Sequence, residues 1–416
     1  LSLRVFMCAP VLRCGVRLKP VTPDRPLTDQ PLLLAKGRWL RGHKLRACWV
    51  VLAMVLAGCG ARHPTSLAAR AADGEEEKIL NVYNWSDYIA PDVVPAFEKE
   101  YGIKVNYDVF DSNDVLETKL LTGGSGYDIV VPTGSYLARE IKAGVLRELD
   151  KSLLTNFSNI DPEIARQTEL FDPGRRYGAN YLLSTMGVGY NVAKIAAAMP
   201  AAPVDSLRMV FDPAVIRNFA KCGVTFVDAP DDVVSTALIY LGRPANSENS
   251  ADLAAAEKVL MAVRPYVRRM DASLYLDDLA NGEICLALGW GGDVGQAATR
   301  AREAGTGVTI DYRIPKEGSL LILDMLAIPA DAPHPKNAHL FINYMLRPEV
   351  AARNSSYLHY PTSNAAAYTL VDPAVYNDRA IYPAPEARAH LTPLQPRSPA
   401  YTRQLNRMWT RFKAGH

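Results

Sequence analysis

Strand and helix signals alternate along most of this sequence, and that alternation restricts the folds open to the chain more than any other feature. Residues 78–83 have the period-two pattern of a strand, and the helix that follows has Pro91 near its first turn and Gly102 beyond its end. Further strand signals at 103–109 and 127–131 are separated by helical stretches. This βαβαβ order predicts an α/β fold with a parallel sheet.

A second α/β region is predicted after a strand at 186–191, which is expected to cross between the two halves of the molecule. Its expected elements are a strand at 222–227, helices at 231–241, 250–267 and 275–281, a strand at 284–288, a helix containing 296–303, strands at 309–315 and 320–327, and helices at 337–346 and 402–412. Residues 150–180 are predicted to be a loop-rich connection, and residues 195–215 show no clear element.

Aromatic and acidic side chains cluster at residues 84–88, Asn-Trp-Ser-Asp-Tyr, in the connection between the first predicted strand and the first predicted helix. In open α/β sheets, ligands bind in the crevice at the carboxyl ends of the strands. Negative charge beside aromatic faces suits an organic cation. This stretch therefore predicts a binding site for a cationic ligand.

The formal net charge of +2 hides an uneven distribution. Residues 1–58 hold ten Lys and Arg against two acids, and the remainder holds 36 basic and 42 acidic residues, a balance of about −6. A mildly acidic body argues against a nucleic-acid partner. It favours a cationic ligand only weakly, because most exposed acids merely keep a protein soluble.

The N-terminal region has the pattern of a targeting segment. An apolar run at 47–58 follows a basic flank and ends in Leu-Ala-Gly-Cys, which resembles a bacterial lipobox. We therefore predict a leader at 1–58 with a lipoprotein-type signal peptide and lipidation of Cys59; a plain secretory signal or a chance cysteine is the alternative. Residues 1–37 match no targeting pattern and are interpreted as translated sequence upstream of the natural start.

Two cysteines, Cys222 and Cys285, remain beyond the predicted lipidation site. In an exported protein a lone pair of cysteines favours a disulfide, and both lie at strand-like segments that can pair side by side. The alternative is two buried free thiols.

Three patterns typical of enzymes are missing from the sequence: a Gly-rich phosphate loop, zinc-type His/Cys spacing and a nucleophile elbow. Their absence lowers the odds of an enzyme. We predict no catalytic residue, metal ligand or cofactor.

An aromatic residue with a carboxylate recurs at predicted strand ends, since Trp290 and Asp293 follow the 284–288 strand. Asp324 lies inside an apolar run, where an acid is costly to bury unless it is bonded to backbone amides or serves as a ligand group. Taken alone, Trp290 favours core packing, and Tyr88 fits a half-buried surface aromatic at least as well as a binding residue. The combination favours a binding site.

Six segments spread along the chain carry a family resemblance: Tyr-Asn-Trp-Ser-Asp-Tyr-Ile-Ala-Pro at 83–91, Asp-Val-Phe-Asp-Ser-Asn at 108–113, Val-Pro-Thr at 131–133, Gly-Val-Gly-Tyr-Asn at 187–191, Gly-Trp-Gly-Gly-Asp at 289–293 and Ile-Pro-Lys-Glu-Gly at 314–318. With these, the chain from about residue 78 onward resembles the periplasmic polyamine-binding proteins of ABC importers, most closely the putrescine-binding type. The resemblance implies a type II periplasmic binding protein fold, with lobe 1 at 77–181 and 303–362, lobe 2 at 185–299 and 366–416, and the ligand in the cleft between them.

Carried over position by position, the resemblance implies a set of ligand-binding residues. They are Trp85, Ser86, Asp87, Tyr88, Thr133, Asp232, Trp290, Asp293, Ile322, Asp324 and Tyr360. Three of them depart from the family pattern. The family usually has serine at Thr133 and glutamate at Asp232, so a water is expected to bridge the shorter reach of Asp232. Ile322 replaces an aromatic wall, which removes a cation–π face but keeps an apolar surface.

A diamine fits this set on physical grounds. Each ammonium that leaves water needs hydrogen-bonded carboxylates, and the methylene chain needs flat apolar walls. Ala229 and Leu394 resemble the putrescine-type pattern, whereas spermidine binders tend to carry acidic or amide groups there. We therefore expect putrescine or a similar diamine such as cadaverine or agmatine.

The expected partners are an ABC permease with its ATPase, and the expected location is the periplasm, with a membrane attachment through the lipid anchor. Alternatives are a binding module that feeds a sensor or chemoreceptor, a binding protein for another small solute, and a hydrolase that uses Asp293 and Asp324 as paired carboxylates.

Overall fold

The computed structural model describes residues 76–415, so the predicted leader and Cys59 lie outside the described residues. The strands are β1 (Ile79–Trp85), β2 (Lys104–Phe110), β3 (Ile129–Val130), β4 (Leu146–Arg147), β5 (Gly178–Asn191), β6 (Val224–Phe226), β7 (Arg269–Met270), β8 (Leu286–Trp290), β9 (Ile310–Arg313), β10 (Ser319–Pro329) and β11 (Leu391–Pro393). The helices are α1 (Val93–Tyr101), α2 (Asn113–Thr122), α3 (Gly134–Ala143), α4 (Pro162–Thr168), α5 (Val192–Ala198), α6 (Arg208–Phe211), α7 (Pro213–Ile216), α8 (Pro230–Tyr240), α9 (Ser250–Val263), α10 (Tyr275–Ala280), α11 (Gly291–Glu303), α12 (Pro335–Met345), α13 (Pro348–Leu358), α14 (Pro373–Tyr376), α15 (Pro385–Arg388) and α16 (Pro399–Ala414).

The strands form a mixed sheet in the order β2-β1-β3-β10-β5-β8-β6-β7. Strands β2, β1 and β3 are parallel, as the βαβαβ pattern predicts. The two long strands β5 and β10 pair antiparallel near the middle of the order. Parallel strands place their carboxyl ends at one edge, so the first binding stretch lies at such an edge.

Strand β5 connects the two halves of the sheet. Its first part pairs with β10, and its second part, from Met186 to Asn191, pairs with β8 and β9. The prediction of a crossing strand is confirmed, but the strand begins at Gly178, eight residues earlier than expected. All of its residues are buried, so it lacks the alternation that marks a half-buried strand.

The two largest of the four apolar cores among the described residues belong to different halves of the sheet. One packs around Phe97 and Phe341, and the other around Phe226 and Tyr275, with Phe412 from the last helix. This division fits two α/β regions, and the predicted α/β class is confirmed. The lobe boundaries given above stay a prediction.

Two regions that were expected to lack regular elements contain short helices. Residues 195–215 include α6, α7 and most of α5, and the 150–180 connection contains α4. Asp161 and Asp212 cap α4 and α7 with their side chains, each directly before a proline in the first helical turn. The Asp-Pro signals were in the sequence, but helices of four to seven residues have too few turns to show a helical period.

A disulfide joins Cys222 to Cys285 with a Cα–Cα distance of 5.5 Å, which confirms the predicted pair. The two cysteines precede β6 and β8, which are neighbouring parallel strands. Within residues 76–415, no helix is long and apolar enough to cross a membrane, and no group of His, Cys, Asp and Glu is arranged to hold a metal ion.

Candidate functional site

A single cleft brings together all eleven residues that the sequence singled out. The side chains come from the end of β1, the start of α3, the start of α8, the β8–α11 junction, β10 and the segment after α13. The empty space of the cleft is about 970 Å³, part of it open to solvent. Segments far apart in sequence therefore meet at strand ends, as the fold predicts. Which of the residues contact a ligand stays a prediction.

Asp324 lies in the buried strand β10, but its carboxylate faces the cleft. The hydroxyls of Tyr88 and Thr133 donate to its two oxygens at 2.7 and 2.8 Å. Asp324 is thus held by hydroxyls and not by the backbone amides considered as one alternative. Burial raises the pKa of Asp324 to about 6, and these two hydrogen bonds limit the rise because they stabilise the ionised form.

Tyr88 is 5% exposed, so the interpretation of it as a half-buried surface aromatic is wrong. Its ring meets the ring of Tyr360 edge to face, with centroids 4.9 Å apart. Its hydroxyl is fixed by Asp324. Tyr88 therefore supplies both a wall of the cleft and a donor that orients an acid.

Asp293 lies in the first turn of α11 and receives two hydroxyl hydrogen bonds. Tyr275 donates at 2.7 Å and Tyr360 at 2.5 Å. Burial raises the pKa of Asp293 to about 6 against the opposing effect of these bonds. In addition to burial, the charge of Asp293 raises the pKa of Asp324, and the charge of Asp324 raises the pKa of Asp232, so the three cleft carboxylates are electrostatically coupled.

Asp232 is the third cleft acid and lies in the first turn of α8. The indole Nε1 of Trp290 donates to its carboxylate at 2.9 Å. Burial raises the pKa of Asp232 to about 7, and the neighbouring charge of Asp231 raises it further. Trp290 thus packs against the core and orients an acid, so core packing and a role in the cleft are compatible for this residue.

Flat and apolar surfaces line the space between these acids. Trp85 and Trp290 lie with ring centroids 6.4 Å apart, and the Trp85 indole donates to the Val131 carbonyl at 2.8 Å. Ile322 and Leu394 are buried side chains that complete the lining. Such walls suit methylene groups, which gain from leaving water.

Ser86 and Asp87 lie on the cleft, but their polar groups already have protein partners. The Ser86 hydroxyl donates to Asp111 at 2.8 Å, and the exposed Asp87 carboxylate lies 3.0 Å from Arg300. Asp87 has φ 52°, a left-handed conformation that aspartate tolerates better than most residues. The geometry therefore places Asp87 at the rim of the cleft, bonded to α11.

Sequence reasoning missed several residues of the site. Tyr275 bonds both Asp293 and the Trp290 backbone, and Asn113 exchanges hydrogen bonds with Thr133. Tyr275 has no local signal because it acts through the fold, whereas Asn113 ends the 108–113 segment of the family resemblance but was not singled out as a site residue. Asp231 also lines the cleft. Because it directly precedes the predicted site residue Asp232, the sequence could have indicated it.

The chain matches the sequence model of a family described as bacterial extracellular solute-binding protein, over residues 92–384. It is 47% identical over 367 residues to the putrescine-binding periplasmic protein SpuD of Pseudomonas aeruginosa (strain UCBPP-PA14), a match that covers 88% of this chain and 98% of SpuD. It is 46% identical over 358 residues to the putrescine-binding periplasmic protein PotF of Escherichia coli K12, which covers 86% of this chain and 96% of PotF.

The fold of this chain also resembles those of solved structures. The spermidine/putrescine ABC transporter substrate-binding protein PotD of Streptococcus pneumoniae matches with a TM-score of 0.68 at 27% identity, over 82% of this chain and 99% of PotD. The predicted type II fold with two lobes is confirmed.

Proposed function

The chain belongs to the family of bacterial extracellular solute-binding proteins, and from that premise we propose that it captures putrescine or a similar diamine and delivers it to an ABC permease with its ATPase. Relatives that share nearly half of its residues are named for putrescine binding and for the periplasm. In this role the protein binds and releases its ligand unchanged and is not an enzyme.

One observation carries the proposal: three carboxylates with raised pKa values line a cleft walled by aromatic rings. They are Asp232, Asp293 and Asp324. Burial raises the pKa of all three, and the hydrogen bonds to their carboxylates come from neutral hydroxyl and indole groups. A diamine supplies two ammonium groups to these acids and leaves its methylene chain against the indole rings of Trp85 and Trp290.

The aromatic walls also attract the ammonium groups directly. A cation over the face of an indole or phenol ring in a closed, dry site gains about 2 kcal/mol. The ligand-binding role of all eleven predicted residues is part of this proposal. Closure of the two lobes over the ligand would then present a defined surface to the permease.

The diamine is proposed to be short because the cleft is lined by Ala229 and Leu394 where a longer polyamine would need polar groups. Two relatives named for cadaverine or agmatine as well as putrescine are 33% and 42% identical to this chain. Their names keep cadaverine and agmatine among the candidates.

The location proposed is the periplasm, with a lipid anchor at Cys59. Support for the anchor comes from the lipobox-like Leu-Ala-Gly-Cys at 56–59 and from a structural relative, 25% identical, described as the TpPotD lipoprotein of Treponema pallidum. Metabolic labelling with a radioactive fatty acid tests it: label is expected in the wild type and absent in Cys59→Ser.

Titration calorimetry of the purified protein with putrescine, cadaverine, agmatine and spermidine tests the ligand. Putrescine or another diamine is expected to bind most tightly, and no binding of any amine would overturn the proposal. Asp324→Ala is expected to abolish binding, while Asp205→Ala, which removes an exposed carboxylate paired with Lys316, is the matched control. Unchanged affinity in Asp324→Ala would refute its role.

Recovery of the bound ligand separates binding from catalysis. After long incubation with the protein, the diamine is expected to be recovered intact, and any turnover would favour the hydrolase alternative. Co-purification with a permease would support transport, whereas co-purification with a receptor would favour the sensing alternative.

A further inference from the structure

Arg397 makes a buried ion pair with Asp231 on the lining of the cleft. Its Nε lies 2.9 and 3.1 Å from the two Asp231 oxygens, and its Nη2 donates to the Ser235 hydroxyl and the Ala245 carbonyl. The side chains of Arg397 and Asp231 are only 4% and 14% exposed. All of these contacts hold the guanidinium in one orientation.

The chain around Arg397 is hydrogen-bonded to the loop between α8 and α9. Asn246 donates to the Pro393 carbonyl and accepts from the Gln395 backbone, and Glu248 accepts from the Ser398 backbone. Leu394, from this segment, lines the cleft. The segment that presents an apolar side chain to the ligand space therefore also carries the guanidinium that pairs with Asp231.

Asp231 and Asp232 are neighbours with different surroundings. Asp231 is paired with a cation, whereas the Asp232 carboxylate accepts a hydrogen bond from the neutral Trp290 indole. Burial raises the pKa of Asp231, and the charge of Arg397 opposes that rise; Arg139, which also opposes it, is itself paired with Glu117. Of two adjacent cleft acids, one is thus neutralised within the protein and the other is left for a ligand.

We propose that Arg397 is a specificity-determining positioning residue, whose guanidinium occupies the place at Asp231 that a third ammonium of a longer polyamine would otherwise take. This inference rests on the proposed function and refines it. With Arg397 in place, Asp231 is neutralised within the protein and Asp232 is left to pair with a ligand ammonium. Without it, Asp231 becomes a further anionic position beside Asp232.

The central test measures the ratio of putrescine affinity to spermidine affinity by calorimetry. Arg397→Met is expected to shift this ratio towards spermidine by about tenfold, the effect of one charge-assisted hydrogen bond. The double variant Arg397→Met/Asp231→Asn should lose that shift, because the freed carboxylate is gone. An unchanged ratio in Arg397→Met, or a shift that persists in the double variant, would overturn the inference.

Two further variants keep the test decisive if Arg397→Met does not fold. Arg397→Lys retains the positive charge and should keep the wild-type ratio. Asp231→Asn leaves the guanidinium without its counterion beside the cleft, so both polyamines should bind more weakly; unchanged affinities would contradict the inference. Putrescine binding by the wild type tests the proposed function separately, so failure of one does not imply failure of the other.

Discussion

Gly292 lies directly against the ring of Tyr360: a Cβ added at Gly292 would stand 2.0 Å from a ring carbon of that tyrosine. The approach brings the Tyr360 hydroxyl to Asp293 in the next position of α11. We predict that Gly292→Ala displaces the ring and weakens diamine binding by about tenfold, because the ring wall and the bond to Asp293 are lost together. Titration calorimetry measures the change.

Gly291→Ala is the matched control for that variant. Its added Cβ would meet Tyr312 at 3.0 Å and would leave Tyr360 in place. If both variants lose affinity equally, the cause is general disruption of the first turn of α11 and the close approach of Gly292 to Tyr360 has no special role.

Arg300 bridges Asp87 at 3.0 Å and Asp277 at 2.7 Å. Asp87 belongs to the predicted first lobe, and most of α11, which carries Arg300, belongs to the second. We predict that Arg300→Gln speeds ligand release several-fold, since an exposed ion pair contributes about 1 kcal/mol or less. Stopped-flow kinetics at low and high salt would check this, because salt screens the pair.

The remote pair of Arg411 and Glu257 provides a control of the same kind, at 2.6 Å and also on the surface. Arg411→Gln should leave the release rate unchanged. Equal release rates for wild type and Arg300→Gln at low salt would show that the bridge to Asp87 does not hold the cleft closed.

Diamine affinity should depend on pH through the cleft acids. Burial raises the pKa of Asp232 to about 7 and those of Asp293 and Asp324 to about 6, and each must lose its proton to pair with an ammonium. Affinity should therefore rise with pH and level off above about pH 8, weakening about tenfold per pH unit below the pKa of each acid. Calorimetry in buffers of different ionisation enthalpy measures both affinity and released protons.

The variant Asp232→Asn tests whether Asp232 causes the rise in affinity at the upper end of this pH range. It should bind more weakly and lose the rise between about pH 6 and pH 8, while keeping the rise at lower pH that comes from the other two acids. A profile that keeps its shape would show that Asp232 does not titrate with ligand binding.

The family resemblance implies an aromatic wall at the position of Ile322, which is 5% exposed and lines the cleft. We predict that Ile322→Phe tightens putrescine binding by up to about tenfold if the added ring faces an ammonium. Ile322→Leu keeps an apolar wall and is the control. Equal affinities in all three proteins would mean that an apolar surface is sufficient.

Much of the fold could be predicted from local sequence patterns, because these patterns reflect contacts between residues that are close in the chain. The alternation of apolar and polar residues predicted β1, and Pro91 and Gly102 predicted the two ends of α1. In the structure, α1 ends at Gly102, which has a left-handed conformation. Strand β3 was predicted five residues long and has two, since pairing partners, which set strand ends, are not visible locally.

The site was predictable where an acid stood in unfavourable surroundings, as Asp324 does in an apolar strand. It was not predictable where a residue acts through tertiary contact, as Tyr275 does on Asp293. Arg397 shows the same limit, because its partner Asp231 lies 166 positions earlier in the chain.

Glu140 is fully buried in α3, and neither carboxylate oxygen has a hydrogen-bond partner among the described residues. Burial raises its pKa to about 8, so the folded protein holds a proton there that the unfolded chain has already lost near neutral pH. Stability contributed by that proton is fully present below the ordinary glutamate pKa and is lost as pH rises to about 8, at about 1.4 kcal/mol per pH unit. Glu140→Gln should match the wild type near pH 4 and be more stable at pH 8 to 9, whereas the exposed control Glu349→Gln should track the wild type throughout. Urea unfolding across this pH range measures the difference, and parallel pH profiles for wild type and Glu140→Gln would show that Glu140 is ionised in the folded protein.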